Sequence, residues 1–312
     1  MDAREPATLN HRGNKSKEKT MKALWGVEPF HQTEKQIGKT YRFIKEICGD
    51  SNQVEIGFIV TRTEPELYQA FDVDIEKRFT SYPKEILEKK LKRAGVPSEK
   101  VRSNVIDYPT FSKTKAASRL LKLAKDKSAD LCVIYSQGGG EIQKFFLGSF
   151  AESAVHLSDR KLLIINPHTK LSKKIRTVLF CYEPSKDSAA ALKEMIDFCQ
   201  ERAAKLVIFH AAQFSLVIPD IEASEEVKAY KDSIKKWQSE IERQCTKAKV
   251  KLEFKTTAEF AMISELAIKT AKKVRADLIS VFAKSGPATA LIGGSVTRQI
   301  LRSSDLPILV IR

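Results

Sequence analysis

Two glutamates and two glycine–serine pairs carry most of the chemistry open to this chain. Glu28 and Glu183 each close an apolar run, each precedes a proline, and a hydroxyl residue, Thr33 or Ser188, follows five positions on. Gly148-Ser149 and Gly294-Ser295 each open a short run with helical spacing. A glycine at that place lets the backbone approach a phosphate, and the amides of a helix N-terminus favour an anion. An acid at a strand end can contact a ribose hydroxyl or a metal ion. Each feature also has an architectural reading: the glutamates as first-turn acids beside a helix dipole, the glycine–serine pairs as turns that cap a helix. The residues alone leave both open. Arg298 and Arg302 follow the second pair on one helix, where they can approach phosphates or stay solvated. His31 reads as a surface residue, and Trp25 and Trp237 as core.

Other chemistries lack their residues. There is no G-x-S-x-G elbow, no H-E-x-x-H and no G-x-x-x-x-G-K-[ST]. The five cysteines, Cys48, Cys132, Cys181, Cys199 and Cys245, form no CxxC pair and no set with histidine at metal-ligand spacing. Their number is odd and most sit among apolar neighbours, which predicts buried, reduced thiols and a reducing compartment. The reading is a binding or regulatory protein, not a dedicated catalyst.

The elements that must position these residues alternate. Apolar runs predict strands at 23–27, 54–60, 101–106, 131–135 and 161–165. Helical spacing predicts helices at 33–48, 82–94, 113–127 and 148–156, with Ile37, Tyr41, Ile44 and Cys48 on one face of the first. A glycine loop, Gly138–Gly140, follows the fourth strand. The order then repeats: strands at 177–182, 206–211, 250–255, 278–282 and 308–311, and helices at 188–202, 225–248, 262–274 and 295–301. Strand–helix alternation with fully apolar strands predicts an α/β fold, a parallel sheet covered by helices on both faces.

The repeat is visible in the residues themselves. Lys22–Thr33 lines up with Thr177–Ser188, Ala129-Asp130-Leu131 with Ala276-Asp277-Leu278, and Gly148-Ser149 with Gly294-Ser295. The last strands pair as Lys161–Pro167 with Leu306–Arg312. The expected organisation is a disordered tail over 1–20, a first domain over 21–167, a linker over 168–174 and a second domain over 175–312. Met21 opens the first apolar run and reads as an alternative initiator.

The bulk numbers agree. A chain of 312 residues suits two domains. No run approaches the roughly 18 apolar residues of a membrane helix, and the polar N-terminus has no secretory core, so the expected location is cytoplasmic. A net charge of +15 invites nucleic-acid or phosphate partners. Its lysines are scattered and not interleaved with aromatics, as a stacking groove needs, so nucleic acid is a less favoured partner.

Ala276–Phe282, Gly293–Leu301 and Leu306–Arg312 resemble the end of a universal stress protein domain, and Glu183–Leu192 is similar to that family's first strand–helix junction. Together the halves look like the tandem form. The resemblance implies two Rossmann-like (adenine nucleotide alpha hydrolase-like) domains, each a five-stranded parallel sheet with helices on both faces. Their last strands, Leu162–Ile165 and Ile308–Ile311, are expected to pair across an intramolecular pseudo-dimer, with further homodimerisation open. It implies ATP, with magnesium, or another adenine nucleotide, held by the acid after the first strand and a G-x-x-G-x9-G-S/T loop at the strands' carboxyl ends. Carried over, the site is Glu28, Gly138, Gly148 and Ser149 in the first half, and Glu183, Gly286, Gly294 and Ser295 in the second. The sequence departs from the pattern in four ways. Tyr135 replaces the first glycine, the second loop is two residues short, Pro287 lacks an amide hydrogen, and the acids are Glu-Pro where the family has Asp-Gly. The family's histidine at the end of the second strand matches His210, which implies a packing role. A ligand-free scaffold acting through protein partners is the alternative that these departures favour.

Overall fold

The computed structural model describes residues 21–49, 54–60, 75–97, 101–107, 111–136, 149–211, 225–257, 262–283 and 294–312. The expected tail over 1–20 lies outside them.

The first strand, β1 (Ala23–Gly26), is buried along Ala23, Leu24 and Trp25. The helix α1 (Glu34–Cys48) starts at Thr33, whose hydroxyl accepts from the Gln36 N–H while the Gln36 side chain accepts from the Thr33 N–H. That reciprocal cap satisfies two amide donors that a helix start otherwise leaves open. The chain continues through β2 (Val54–Val60), α2 (Ile75–Arg93), β3 (Val101–Asp107), α3 (Lys113–Asp126), β4 (Leu131–Tyr135), α4 (Ser149–Leu157) and β5 (Lys161–Ile165). The second half repeats this as β6 (Thr177–Cys181), α5 (Ser188–Glu201), β7 (Lys205–Ala211), α6 (Glu225–Ala248), β8 (Leu252–Thr257), α7 (Ile263–Lys273), β9 (Leu278–Phe282), α8 (Gly294–Ser303) and β10 (Ile308–Ile311).

The ten strands form one sheet in the order β3-β2-β1-β4-β5-β10-β9-β6-β7-β8. All neighbours are parallel except β5 and β10, which run antiparallel. Each half therefore has the order 3-2-1-4-5, and the fold is the expected pair of Rossmann-like units. Alternate residues of each strand feed two cores. Ala23, Trp25, Val133 and Phe180 pack under α1, α2, α5 and α6. Leu24, Cys132, Ile134 and Leu179 pack under α3, α4, α7 and α8. Burial of each such side chain contributes about 1.5–3 kcal/mol.

Two readings of the sequence are corrected. Helix α2 starts at Ile75 rather than Tyr82 and runs through Pro83. A proline is well placed in a first turn but costs about 3 kcal/mol in a helix interior, so Pro83 reads as a helix start when it is not one. The alignment of the last strands also slips by one residue. Cys132 pairs with Leu162 and Ile279 with Ile308, so Leu162 corresponds to Ile308 and Lys161 to Pro307. The Ser158 and Ser304 hydroxyls agree, each donating to the carbonyl two residues on. Strands buried on both faces read as unbroken apolar runs, which do not fix a register to one residue.

Candidate functional site

In the order 3-2-1-4-5, the chain leaves the first strand toward one edge of its half and returns beside it with the fourth. The helix after the first strand covers one face and the helix after the fourth covers the other. The crevice at such a switch point, outside the carboxyl ends of the strands, is where open α/β sheets bind ligands. Glu28 and Tyr135-Ser136 stand there in the first half, and Glu183 and Phe282-Ala283 in the second.

The two glutamates occupy equivalent backbone positions and different surroundings. In the first half the turn after β1 is tied internally. The Glu28 N–H donates to Gln32 Oε1 at 2.8 Å, and the Gln32 N–H returns to the Glu28 carbonyl at 3.0 Å. Gln32 is fully buried and Glu28 half-buried. In the second half the Ser188 hydroxyl donates to the Glu183 carbonyl at 2.7 Å, and the Glu183 side chain is 79% exposed. Its Oε2 lies 3.5 Å from Nδ1 of His210.

His210 is buried at the end of β7, so the expected packing role stands, and it also belongs to a polar chain. Nδ1 lies 3.1 Å from the Tyr182 carbonyl and Nε2 lies 2.8 Å from the Tyr230 hydroxyl. A carbonyl only accepts, so Nδ1 carries the proton, and in the neutral ring Nε2 accepts from Tyr230. The Trp237 ring meets His210 edge-on at 5.4 Å. Burial, with the Glu183 charge added, raises the pKa of Tyr182 and of Tyr230. Burial also holds Tyr135 well above the usual phenol range. In the first half, Phe58 takes the place of His210 and packs with Phe30 at 5.9 Å, and Phe30 in turn stacks on Tyr82 at 6.4 Å. The first mouth thus holds aromatic rings beside a half-buried carboxylate, where the second has a histidine, a tyrosine and an exposed carboxylate.

Ser149 is exposed and begins α4. Because residues 158–160 join α4 directly to the start of β5, α4 runs back against the strands, and its N-terminus faces the same carboxyl end as Glu28. Gly294 and Ser295 are the first residues of α8 and stand likewise in the second half. Gly138, Gly148 and Gly286 lie outside the described residues. Arg298 and Arg302 are both engaged by a carboxylate of the first half. Both meet Glu152 Oε1, at 3.4 and 3.3 Å, on the helix of the other half. His31 is exposed, and Trp25 is fully buried. All five thiols are free, Cys181 half-buried and the others buried.

Sequence reasoning passed over Tyr230 and Gln32. Tyr230 stands four residues before Ile234 on the apolar stripe of α6, so the helical spacing contained it. Gln32 carried no signal, since a buried glutamine in a turn is set by its tertiary neighbours. Among the described residues no group of three or more His, Cys, Asp or Glu can hold a metal ion, and no helix is long and apolar enough to cross a membrane.

Residues 174–312 match the model of the universal stress protein family. No curated protein matches the chain. A solved universal stress protein from Archaeoglobus fulgidus is similar over 93% of this chain and 96% of its own, at 17% identity and a TM-score of 0.59. A functionally unknown protein from Pseudomonas aeruginosa is similar over 93% and 92%, at 14% identity and a TM-score of 0.60. These likenesses extend the fold over both halves, and the family match rests on the second. The second half of this chain matches the universal stress protein family, and the first half repeats the fold of the second.

Proposed function

We propose that this protein is a cytoplasmic stress-response regulator that binds an adenine nucleotide, or a related anion, and passes that state to a protein partner without being a dedicated catalyst. The observation that supports it is a carboxylate at the same switch-point position of both halves, with the Glu183 side chain 79% exposed there. In this reading Glu28 or Glu183 takes the ribose or a phosphate-bound magnesium. The helix starts at Gly148-Ser149 and Gly294-Ser295 take the phosphates, aided by Gly138 and Gly286. Any hydrolysis is slow and incidental. The test is to denature the purified protein, weigh the released small molecules by mass spectrometry, and titrate stripped protein with ATP and magnesium by calorimetry. Stoichiometric adenine nucleotide, lost in Gly148→Val or Glu183→Ala, supports the site and says which half holds it. Neither nucleotide nor heat removes it.

A second reading is a ligand-free scaffold that works through protein partners. The antiparallel β5–β10 ladder favours it, because that ladder hides both inner sheet edges inside one chain.

A further inference from the structure

At three places a residue meets its own counterpart in the repeat. Within the sheet, Leu163 pairs with Leu309, which are equivalent positions of β5 and β10. On one face, Glu152 Oε1 lies 3.4 Å from Arg298 Nε. These residues stand four positions after Gly148 and Gly294 respectively. On the other face, the Arg202 guanidinium donates to the carbonyls of Glu46, at 3.1 Å, and Ile47. Arg202 and Ile47 stand nineteen positions after Glu183 and Glu28. A position faces its own counterpart only at a twofold axis, so these contacts mark where the pseudo-twofold crosses the two helical layers and the sheet between them.

The identities at those points are not symmetric. The leucines suit any pairing of halves. On both faces the counterparts have become unlike partners, and each time the cation comes from the second half. We infer that this divergence encodes partner choice: the first half fits the second half and not a copy of itself. Two second halves would set Arg298 against Arg298 and Arg202 against Arg202, the latter with side chains only 10% exposed here. Two first halves would set Glu152 against Glu152. They would also leave the carbonyls at the α1 C-terminus without the guanidinium that complements the helix dipole. Like charges at a shared face suppress the wrong partner more than opposite charges strengthen the right one. Contacts away from the axis are one-sided too. Lys161 pairs with Glu194 at 2.6 Å, whereas the counterpart positions hold Pro307 and Lys39, which form no ion pair. This interface is a matched pair of different surfaces.

Two substitutions in the full chain recreate the rejected pairings in place. Arg298→Glu makes the axis Glu against Glu, and Glu152→Arg makes it Arg against Arg, with Arg302 alongside. Each single variant is expected to lower the urea midpoint at low salt, and high salt is expected to reduce that loss, as it screens exposed charge. The exchanged variant, E152R with R298E, restores an opposite pair and is expected to recover most of the midpoint. Single variants matching the parent, a loss indifferent to salt, or an exchange as damaging as the two singles combined would each overturn the inference.

Discussion

The Tyr230 hydroxyl lies 2.8 Å from Nε2 of His210, while the other nitrogen of that ring faces the Tyr182 carbonyl at 3.1 Å. The ring is therefore fixed as one tautomer, and Tyr230 on α6 is its only donor for Nε2 among the described residues. Tyr230→Phe keeps the ring packing and deletes the donor, leaving a buried acceptor open. The expected loss is about 1–3 kcal/mol, read as a lower urea midpoint at neutral pH. An unchanged midpoint would mean that solvent already serves that nitrogen.

Gly38 lies in the middle of α1, where alanine is ordinarily better by about 1 kcal/mol. Here a Cβ would come within 2.7 Å of the Ala94 carbonyl oxygen at the end of α2. A backbone oxygen cannot swing aside as a side-chain tip can. Overpacking costs about 1–3 kcal/mol, so packing wins over propensity, and Gly38→Ala is expected to lower the thermal midpoint. A rise would show that the two helices can part.

The repeated Ala-Asp-Leu places Asp130 and Asp277 alike and loads them differently. Asp277 accepts from the N–H groups of Arg176 and Thr177, at 2.8 and 3.1 Å, and from the Ser172 hydroxyl at 2.5 Å. Asp130 accepts from the Lys22 N–H at 2.9 Å. Each such bond to a charged acceptor contributes about 1.5–3 kcal/mol. Asp277→Ala is therefore expected to cost more than Asp130→Ala in denaturant unfolding, and equal losses would refute the difference in load.

Burial pushes the thiols of Cys48, Cys132 and Cys199 up to about 12. Between about pH 9 and that value, the unfolded chain releases these protons and the folded chain keeps them. Stability is thus intact below about pH 9 and falls as pH rises, by up to about 1.4 kcal/mol per pH unit for each thiol. Comparing unfolding free energies at about pH 8 and about pH 10, Cys132→Ala is expected to flatten the decline. A slope identical to the parent's would remove Cys132 as a contributor. In the folded state at about pH 8 these thiols are also expected to resist alkylation.

The sequence by itself determined the α/β alternation, the twofold repeat and the two helix-covered faces of the sheet. Strand–helix periodicity, doubly buried strands and paired residues such as Glu28 with Glu183 are local signals, and physical chemistry reads them without knowing the fold. It also identified Trp25 and most of the cysteines as interior, and the family resemblance implied a packing role for His210. Only the tertiary structure decided what those residues face. Pro83 looks the same in sequence at a helix start or within a helix. The register of β5 against β10 is invisible in apolar runs that are buried on both sides. Glu28 and Glu183 have the same local context, yet Gln32 ties down the turn of one while Ser188 and His210 leave the other exposed. Arg298 and Arg302 follow Gly294-Ser295 in sequence, where they could approach a phosphate, but Glu152, 146 positions before Arg298, engages both. Long-range partners are set by how helices cross over the sheet, and no spacing along the chain records that.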